Sequence, residues 1–241
     1  MLTSLVCEVA KLRRSLALLL CGAAPAMVAL LGILVLTDQA RARSWTTFSV
    51  GSAAIWAYFM LPMTVTALTV LLAQIEHGSR SWNHLLALPV ARWRHHAAKA
   101  VVAILLVAGM SVLLWLALPL AGAVANALRG GGQLTGAYDW GGTAALLARM
   151  SASAVLLIAI QLWTALRFRS FVPPLVVGIG GTFVAVAATG SRQGLYFPWL
   201  LPTNALASDP ARADLALALG AGGGIVLIGL MLVDLSRREF G

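Results

Sequence analysis

The side chains that most often perform chemistry are few in this chain, and they are confined to a few places. All four histidines, His77, His84, His95 and His96, fall in one polar stretch between two apolar ones. A metal site needs ligands that converge at suitable spacings, whereas adjacent His95 and His96 point apart on a helix, so no metal site is expected. Cys7 and Cys21 make no CxxC pair, and neither falls in an expected external loop, so no disulfide is expected. No GxxxxGKS or GxxxxGKT phosphate loop, HExxH or GxSxG occurs. The only lysines are Lys11 and Lys99, and neither follows a glycine-rich turn, so the chain is not expected to hydrolyse ATP itself. The only acidic residue inside an apolar stretch is Asp234, at the end of the last one. Intramembrane ionisable groups usually mark ion paths, so this scarcity argues against a proton-coupled carrier, a pump and most intramembrane hydrolases.

Composition says what kind of elements must carry these groups. Of 241 residues, 60% are hydrophobic and 10% are charged. A soluble domain runs about 45–50% apolar and about 25% charged, because it needs a charged skin. A soluble enzyme, a disordered tail and a secreted disulfide scaffold are excluded. The apolar residues form six stretches, at about Ser15–Thr37, Ser49–Ala73, Ala100–Ala125, Gly142–Leu166, Phe171–Gly190 and Leu215–Leu235. Each is long enough to cross a hydrocarbon core of about 30 Å at about 1.5 Å per residue. Helices satisfy their own backbone in lipid, and no period-two alternation suggests a barrel. The expected fold is an all-α membrane protein, a single domain over 1–241 with six transmembrane helices. Ala24-Pro25-Ala26 resembles a cleavage site, but apolar sequence continues to Leu36, too long for the core of a signal peptide, so the first helix is expected to be retained.

The charges orient the chain. With both termini on one side, that side holds Lys11, Arg13, Arg14, Arg80, Arg92, Arg94, Lys99, Arg167, Arg169, Arg237 and Arg238. The other holds Arg41, Arg43, Arg129, Arg192 and Arg212, with Arg149 inside the fourth stretch. Both termini are therefore expected in the cytoplasm. The net charge of +9 reads as anchoring at the inner leaflet, with no nucleic acid as partner. Residues 1–14 place Leu2, Leu5, Val6, Val9 and Leu12 at helical spacing, with Ser4, Glu8, Lys11 and Arg14 on other faces. That pattern predicts an amphipathic helix at the membrane surface. Residues 191–212 contain Leu195-Tyr196-Phe197-Pro198-Trp199-Leu200-Leu201-Pro202, too apolar for an exposed loop and broken by two prolines. An outer re-entrant hairpin is expected there, with Tyr196 and Trp199 at headgroup level.

The segment 74–99 is the most informative. It joins the second and third stretches with far more residues than a turn needs. Ser81–Leu88 has helical character, Ser79 or Ser81 is placed to cap its start, and Pro89 ends it. Trp82, Leu85, Leu86 and Leu88 give this stub an apolar surface that must lie on headgroups or enter a partner's groove. Arg92, Arg94 and Lys99 are expected to hold the returning chain at the anionic leaflet. In the second stretch Trp56, Phe59, Met60 and Met63, with Pro62 as an expected kink, form a band that fits either an apolar substrate path or ordinary packing.

The pattern of Glu76, then Trp82-x-x-Leu85-Leu86-Ala87-Leu88-Pro89-Val90-x-Arg92, then Lys99 resembles the ABC-2 type exporter permeases. It is most similar to the short permeases of lantibiotic self-immunity and bacitracin-resistance exporters. The resemblance implies that Glu76, Trp82, Leu85, Leu86, Leu88, Pro89 and Arg92 form a coupling region docked on a separate ABC ATP-binding subunit, present in two copies. ATP and magnesium would then be bound by that partner and no cofactor by this chain. A second permease, identical or related, would complete the path. The resemblance also implies a multi-pass protein of a bacterial cytoplasmic membrane, exporting an amphipathic peptide antibiotic or lipid-like compound. A non-transporting scaffold or sensor, and a lipid-modifying membrane enzyme, are the alternative readings of the same spans.

Overall fold

The structure is a computed structural model that describes residues 2–12, 15–38, 42–78 and 92–237. Helix α1 (Leu2–Leu12) precedes α2 (Leu16–Asp38). A two-residue strand β1 (Arg43–Ser44) leads into α3 (Trp45–Ile55), which runs through a π-helical turn, Trp56–Met60, into α4 (Leu61–Gly78). Helix α5 (Arg92–Arg129) is followed by β2 (Leu134–Thr135), α6 (Trp140–Ser153), α7 (Val155–Arg167) and α8 (Val172–Ala188). Two 3-10 turns, Arg192–Leu195 and Pro198–Leu200, lead to the short α9 (Leu201–Asn204). The chain closes with α10 (Pro210–Leu217), a second π turn, Ala218–Gly222, and α11 (Gly223–Arg237).

Among the described residues, five helical rods are long and apolar enough to cross a membrane: Leu16–Asp38, Trp45–Ile75, Trp93–Arg129, Trp140–Arg167 and Pro210–Arg237. The sixth expected stretch is the shorter apolar helix Val172–Ala188. Its inner face is Pro174, Gly178, Thr182 and Ala185, while Val176, Phe183, Val184 and Val186 point outward. Outward apolar side chains recur on every rod, including Leu19, Leu34, Leu105, Leu120, Ile225 and Val226. An aqueous surface would not tolerate such a belt.

With hydrocarbon outside, the polar side chains turn inward. Gln161 is fully buried, and its amide, in the orientation that satisfies both groups, donates to the Pro174 carbonyl and accepts from the Gly178 N–H. Thr66 and Thr69 donate to the Pro62 and Val65 carbonyls of their own helix. The first π turn has a local cause. Pro62 has no N–H to offer the carbonyl one turn back, and its ring crowds that carbonyl. The helix widens just before it, and the Leu61 N–H reaches back five residues to the Trp56 carbonyl. The expected kink at Pro62 is thus taken up as a π turn.

Three expectations are corrected. Trp199 is buried rather than at headgroup level. Its ring lies where a side chain on Gly181 would be, and its Nε1 donates to the Gly178 carbonyl at 3.2 Å. A buried indole N–H usually finds an acceptor, and α8 offers both a bare face and a carbonyl. Tyr196 does remain exposed. The expected hairpin also ends early, because Pro210–Arg212 already belong to α10, capped by Asp209. Finally, the faces of α1 do not divide as expected: Glu8 is buried together with Leu12, while Val6 and Val9 are exposed.

Opposite the termini, Trp45, Phe48, Trp115, Tyr138 and Trp140 meet edge to face, with centroids 4.8–5.9 Å apart. Two aromatic groups also tie backbone there, with Trp115 Nε1 donating to the Trp140 carbonyl and Tyr138 Oη to the Trp115 carbonyl, both at 3.0 Å. The parallel β1–β2 bridge, Arg43 with Leu134 and Ser44 with Thr135, joins the loops beside them.

A close helix crossing sets Gly220, in the second π turn, against the break between α6 and α7. A Cβ on Gly220 would lie 2.2 Å from the Ser153 carbonyl oxygen, whereas one on Gly222 meets nothing within 4 Å. Because the obstacle is backbone, it cannot rotate away. Gly220→Ala is expected to destabilise the purified protein by about 1–3 kcal/mol, as overpacking does. Gly222→Ala should be neutral or slightly stabilising, with thermal unfolding followed by tryptophan fluorescence as the measurement.

Candidate functional site

The polar groups with the greatest mechanical reach lie at the end of the bundle that holds the termini. Lys99, two turns into α5, is almost fully buried at 1% exposure. Its Nζ donates to Glu8 Oε2 at 2.9 Å and to the Leu72 carbonyl at 3.0 Å. Lys11 Nζ lies 2.6 Å from the other Glu8 oxygen. The two lysines of an otherwise arginine-based chain therefore hold one carboxylate. Three elements meet at this point: α1, the last turns of α4 and the start of α5. Lysine suits the position, since its compact ammonium can reach a carboxylate and a carbonyl together.

The electrostatics follow from the geometry. Burial alone would raise the Glu8 carboxyl, but Lys99 and Lys11 outweigh it and hold that group below its ordinary 4.5. The expectation that Lys99 anchors the chain at lipid headgroups is corrected: it is turned into the protein. His96 is likewise buried rather than solvated, because α5 starts as early as Arg92 and carries this face inward. Arg94 does stay outside, with its guanidinium 5.7 Å from the exposed Trp93 ring.

A second polar contact lies at the same end. Asp234 accepts from Arg167 at 2.7 Å and from Trp163 Nε1 at 2.9 Å, which ties α11 to α7. Gln74 donates to the Arg169 carbonyl at 3.4 Å, linking this cluster to the end of α4. At the opposite end Arg149, which sequence left without a role, pairs with Asp214 between α6 and α10.

These contacts frame the expected coupling region. Glu76 lies in the last turn of α4, and Arg92 is the first residue of α5. Trp82, Leu85, Leu86, Leu88 and Pro89 lie outside the described residues. The flanks of the expected 74–99 loop are helical, as far as Gly78 on one side and from Arg92 on the other. Among the described residues no three His, Cys, Asp or Glu side chains converge as metal ligands would.

The band in the second rod divides. Trp56 is fully buried in the core, Phe59 is exposed, and Met60 and Met63 are half-buried. A cavity of about 570 Å³ lies elsewhere, between α5 and the α6–α7 rod. Its wall is apolar except for Ser111 and Ser151, whose hydroxyls meet at 2.8 Å. Sequence reading missed both this cavity and the Glu8–Lys99 pair. The pair left a faint signal, since lysine occurs only at its two cationic positions; the cavity left none, because it is shaped by how two rods diverge.

With the geometry described, comparison with known families adds one finding. The family model for ABC-2 family transporter proteins matches residues 4–185, from α1 to the end of α8. No curated protein matches the chain.

The buried pair has a measurable signature. Lys99→Met leaves Glu8 without its buried partner and is expected to cost about 3 kcal/mol, whereas adding Glu8→Leu should recover much of that loss. The depressed Glu8 pKa means that its stabilising contribution is present above about 4.5 and is lost as pH falls through the lower folded-state value. Unfolding measured across this range should show that acid loss in the native chain and a weaker one in Glu8→Gln.

Proposed function

The chain belongs to the ABC-2 transporter family, and we propose that it is the permease subunit of an ATP-driven exporter that moves an amphipathic peptide or lipid-like compound. The observation that carries the reading is the Lys99 junction. It clamps α1 to the two helices that flank 79–91, so a push delivered at that segment moves three elements together. Coupling of a membrane subunit to a separate ATPase needs such a stiff connection, since a soft one would absorb the displacement.

In this reading 79–91 carries the docking surface, with Trp82, Leu85, Leu86, Leu88 and Pro89 meeting the ATP-binding subunit and Glu76 and Arg92 at its margins. Nucleotide and magnesium are held by that partner. Both termini face the cytoplasm, in keeping with eleven cations on their side against five opposite. Helix α8 is the shortest of six spans. Its 17 residues rise about 26 Å, a mismatch that local bilayer thinning can absorb. Two permeases, identical or related, face each other across the substrate path, and ATP binding biases them between inward- and outward-open forms. Phe59, Met60 and Met63 are the side chains assigned to that path, with Trp56 behind them in the core. The membrane is the cytoplasmic membrane of a bacterium.

Trp82→Ala combined with Leu86→Ala is expected to abolish copurification of the ATP-binding subunit while leaving membrane insertion intact. Undiminished binding by that double variant would remove the docking assignment. The purified chain alone should hydrolyse no ATP, and activity should appear only on reconstitution with its partner.

A further inference from the structure

At the end of the bundle opposite the termini, a second cavity of about 590 Å³ opens between the foot of the 3-10 hairpin and the first turns of α10. Two arginines line it, Arg192 from the hairpin and Arg212 from α10. They are held in fixed relation by one buried side chain. Asn204 is 3% exposed and donates its Nδ2 to the Gly194 and Leu195 carbonyls at 3.3 Å, which fixes the hairpin turn that carries Arg192. The Asn204 Oδ1 accepts from Arg212 Nε at 3.1 Å and from Arg212 Nη2 at 2.7 Å. An amide positions a guanidinium without neutralising it.

Neither cation is neutralised elsewhere. Among the described residues, Arg192 and Arg212 form no ion pair, and Asp214 is engaged by Arg149 on another face. The single carboxylate on the wall is Asp209, and its Oδ1 accepts from the Ala211 N–H at 3.0 Å as the cap of α10. The wall therefore carries two positive charges against one negative charge that already serves the backbone. The remaining lining is mixed: the Thr189 and Ser191 hydroxyls donate to the Ala185 and Ala188 carbonyls, Leu195, Ala211 and Leu215 are apolar, and Tyr196 is exposed. This amphipathic cavity sits where α8 ends and the last rod begins, at one end of two apolar helices.

We propose that this cavity binds the phosphate headgroup of an anionic phospholipid, with Arg192 and Arg212 on the phosphate and Leu195 and Leu215 against the start of the acyl chains. Guanidinium forks match phosphate oxygens in geometry and charge. The exposed Tyr196 suits headgroup depth. The site requires only that the chain lies in a bilayer, so it stands apart from the export reading and from the docking segment at the other end.

The test uses the full chain and native mass spectrometry, with phosphatidylglycerol and phosphatidylcholine of matched acyl chains as probes. The native protein is expected to retain phosphatidylglycerol preferentially, and Arg192→Gln with Arg212→Gln should reduce that retention about tenfold or more, as loss of charge-assisted hydrogen bonds implies. The Arg192 side chain makes no hydrogen bond among the described residues, so Arg192→Gln alone keeps the test valid if the double variant misfolds; it should lose part of the preference. Equal retention by native and substituted protein would overturn the site. So would inorganic phosphate competing as well as the lipid does, since the apolar wall would then contribute nothing.

Discussion

A chain surrounded by hydrocarbon has nowhere to send its polar groups except toward one another. This constraint governs the molecule more than any single contact. In water, the Glu8 side of α1 would face solvent and Val6 and Val9 would seek the core. Here Val6 and Val9 are outside, while Glu8 is buried between two lysines. The same inversion buries the Gln161 amide, the Trp199 indole N–H and the Asn204 amide, each against backbone of another segment. An unpaired polar group in such surroundings costs several kcal/mol, so these pairings fix which helices are neighbours and in what register. The apolar contacts, interchangeable with those to lipid tails, do so much less.

The second structural theme is close backbone approach. Lipid gives no hydrophobic reason for helices to associate, so packing has to come from fit. The last rod meets the fourth at Gly220 and Ser153, where both depart from regular α geometry. The second rod departs at Trp56–Met60, where Pro62 removes a donor. The short segment Leu201–Asn204 packs against both of these π turns. The termini-opposed end is thus a cap seated on the irregular parts of two rods, with the Arg149–Asp214 pair beside it, whereas the other end is held by the Glu8–Lys99 and Arg167–Asp234 pairs.

The two ends of the bundle differ in what ties them. The end carrying Glu8, Lys99, Arg167 and Asp234 is tied by charge-assisted contacts that join α1, α4 and α5, and α7 with α11. It is also the end from which 79–91 departs. The far end is aromatic and turn-rich, with Trp45, Tyr138 and Trp140 at its rim.

The spans were legible from sequence because hydrophobicity is a local property. Leu16–Asp38 and Trp140–Arg167 lie within two residues of the stretches expected from composition alone. Pro62 announced its distortion, and Pro198 and Pro202 announced a broken hairpin, because a missing donor acts within one turn. The type of protein was also legible, carried by the residues from Glu76 to Lys99. What sequence could not supply was direction. Periodicity shows that α1 has two faces, but it does not say which face meets protein, since that depends on whether the surroundings are water or lipid and on where Lys99 lies. The inward turn of Trp199, the pairing of Arg149 with Asp214 and the two cavities likewise join residues that are far apart in the chain. Local chemistry settled which segments form long apolar helices. Only the tertiary structure decided what each polar side chain meets there, because a buried charge or amide is satisfied by whichever neighbour the packing brings within about 3 Å.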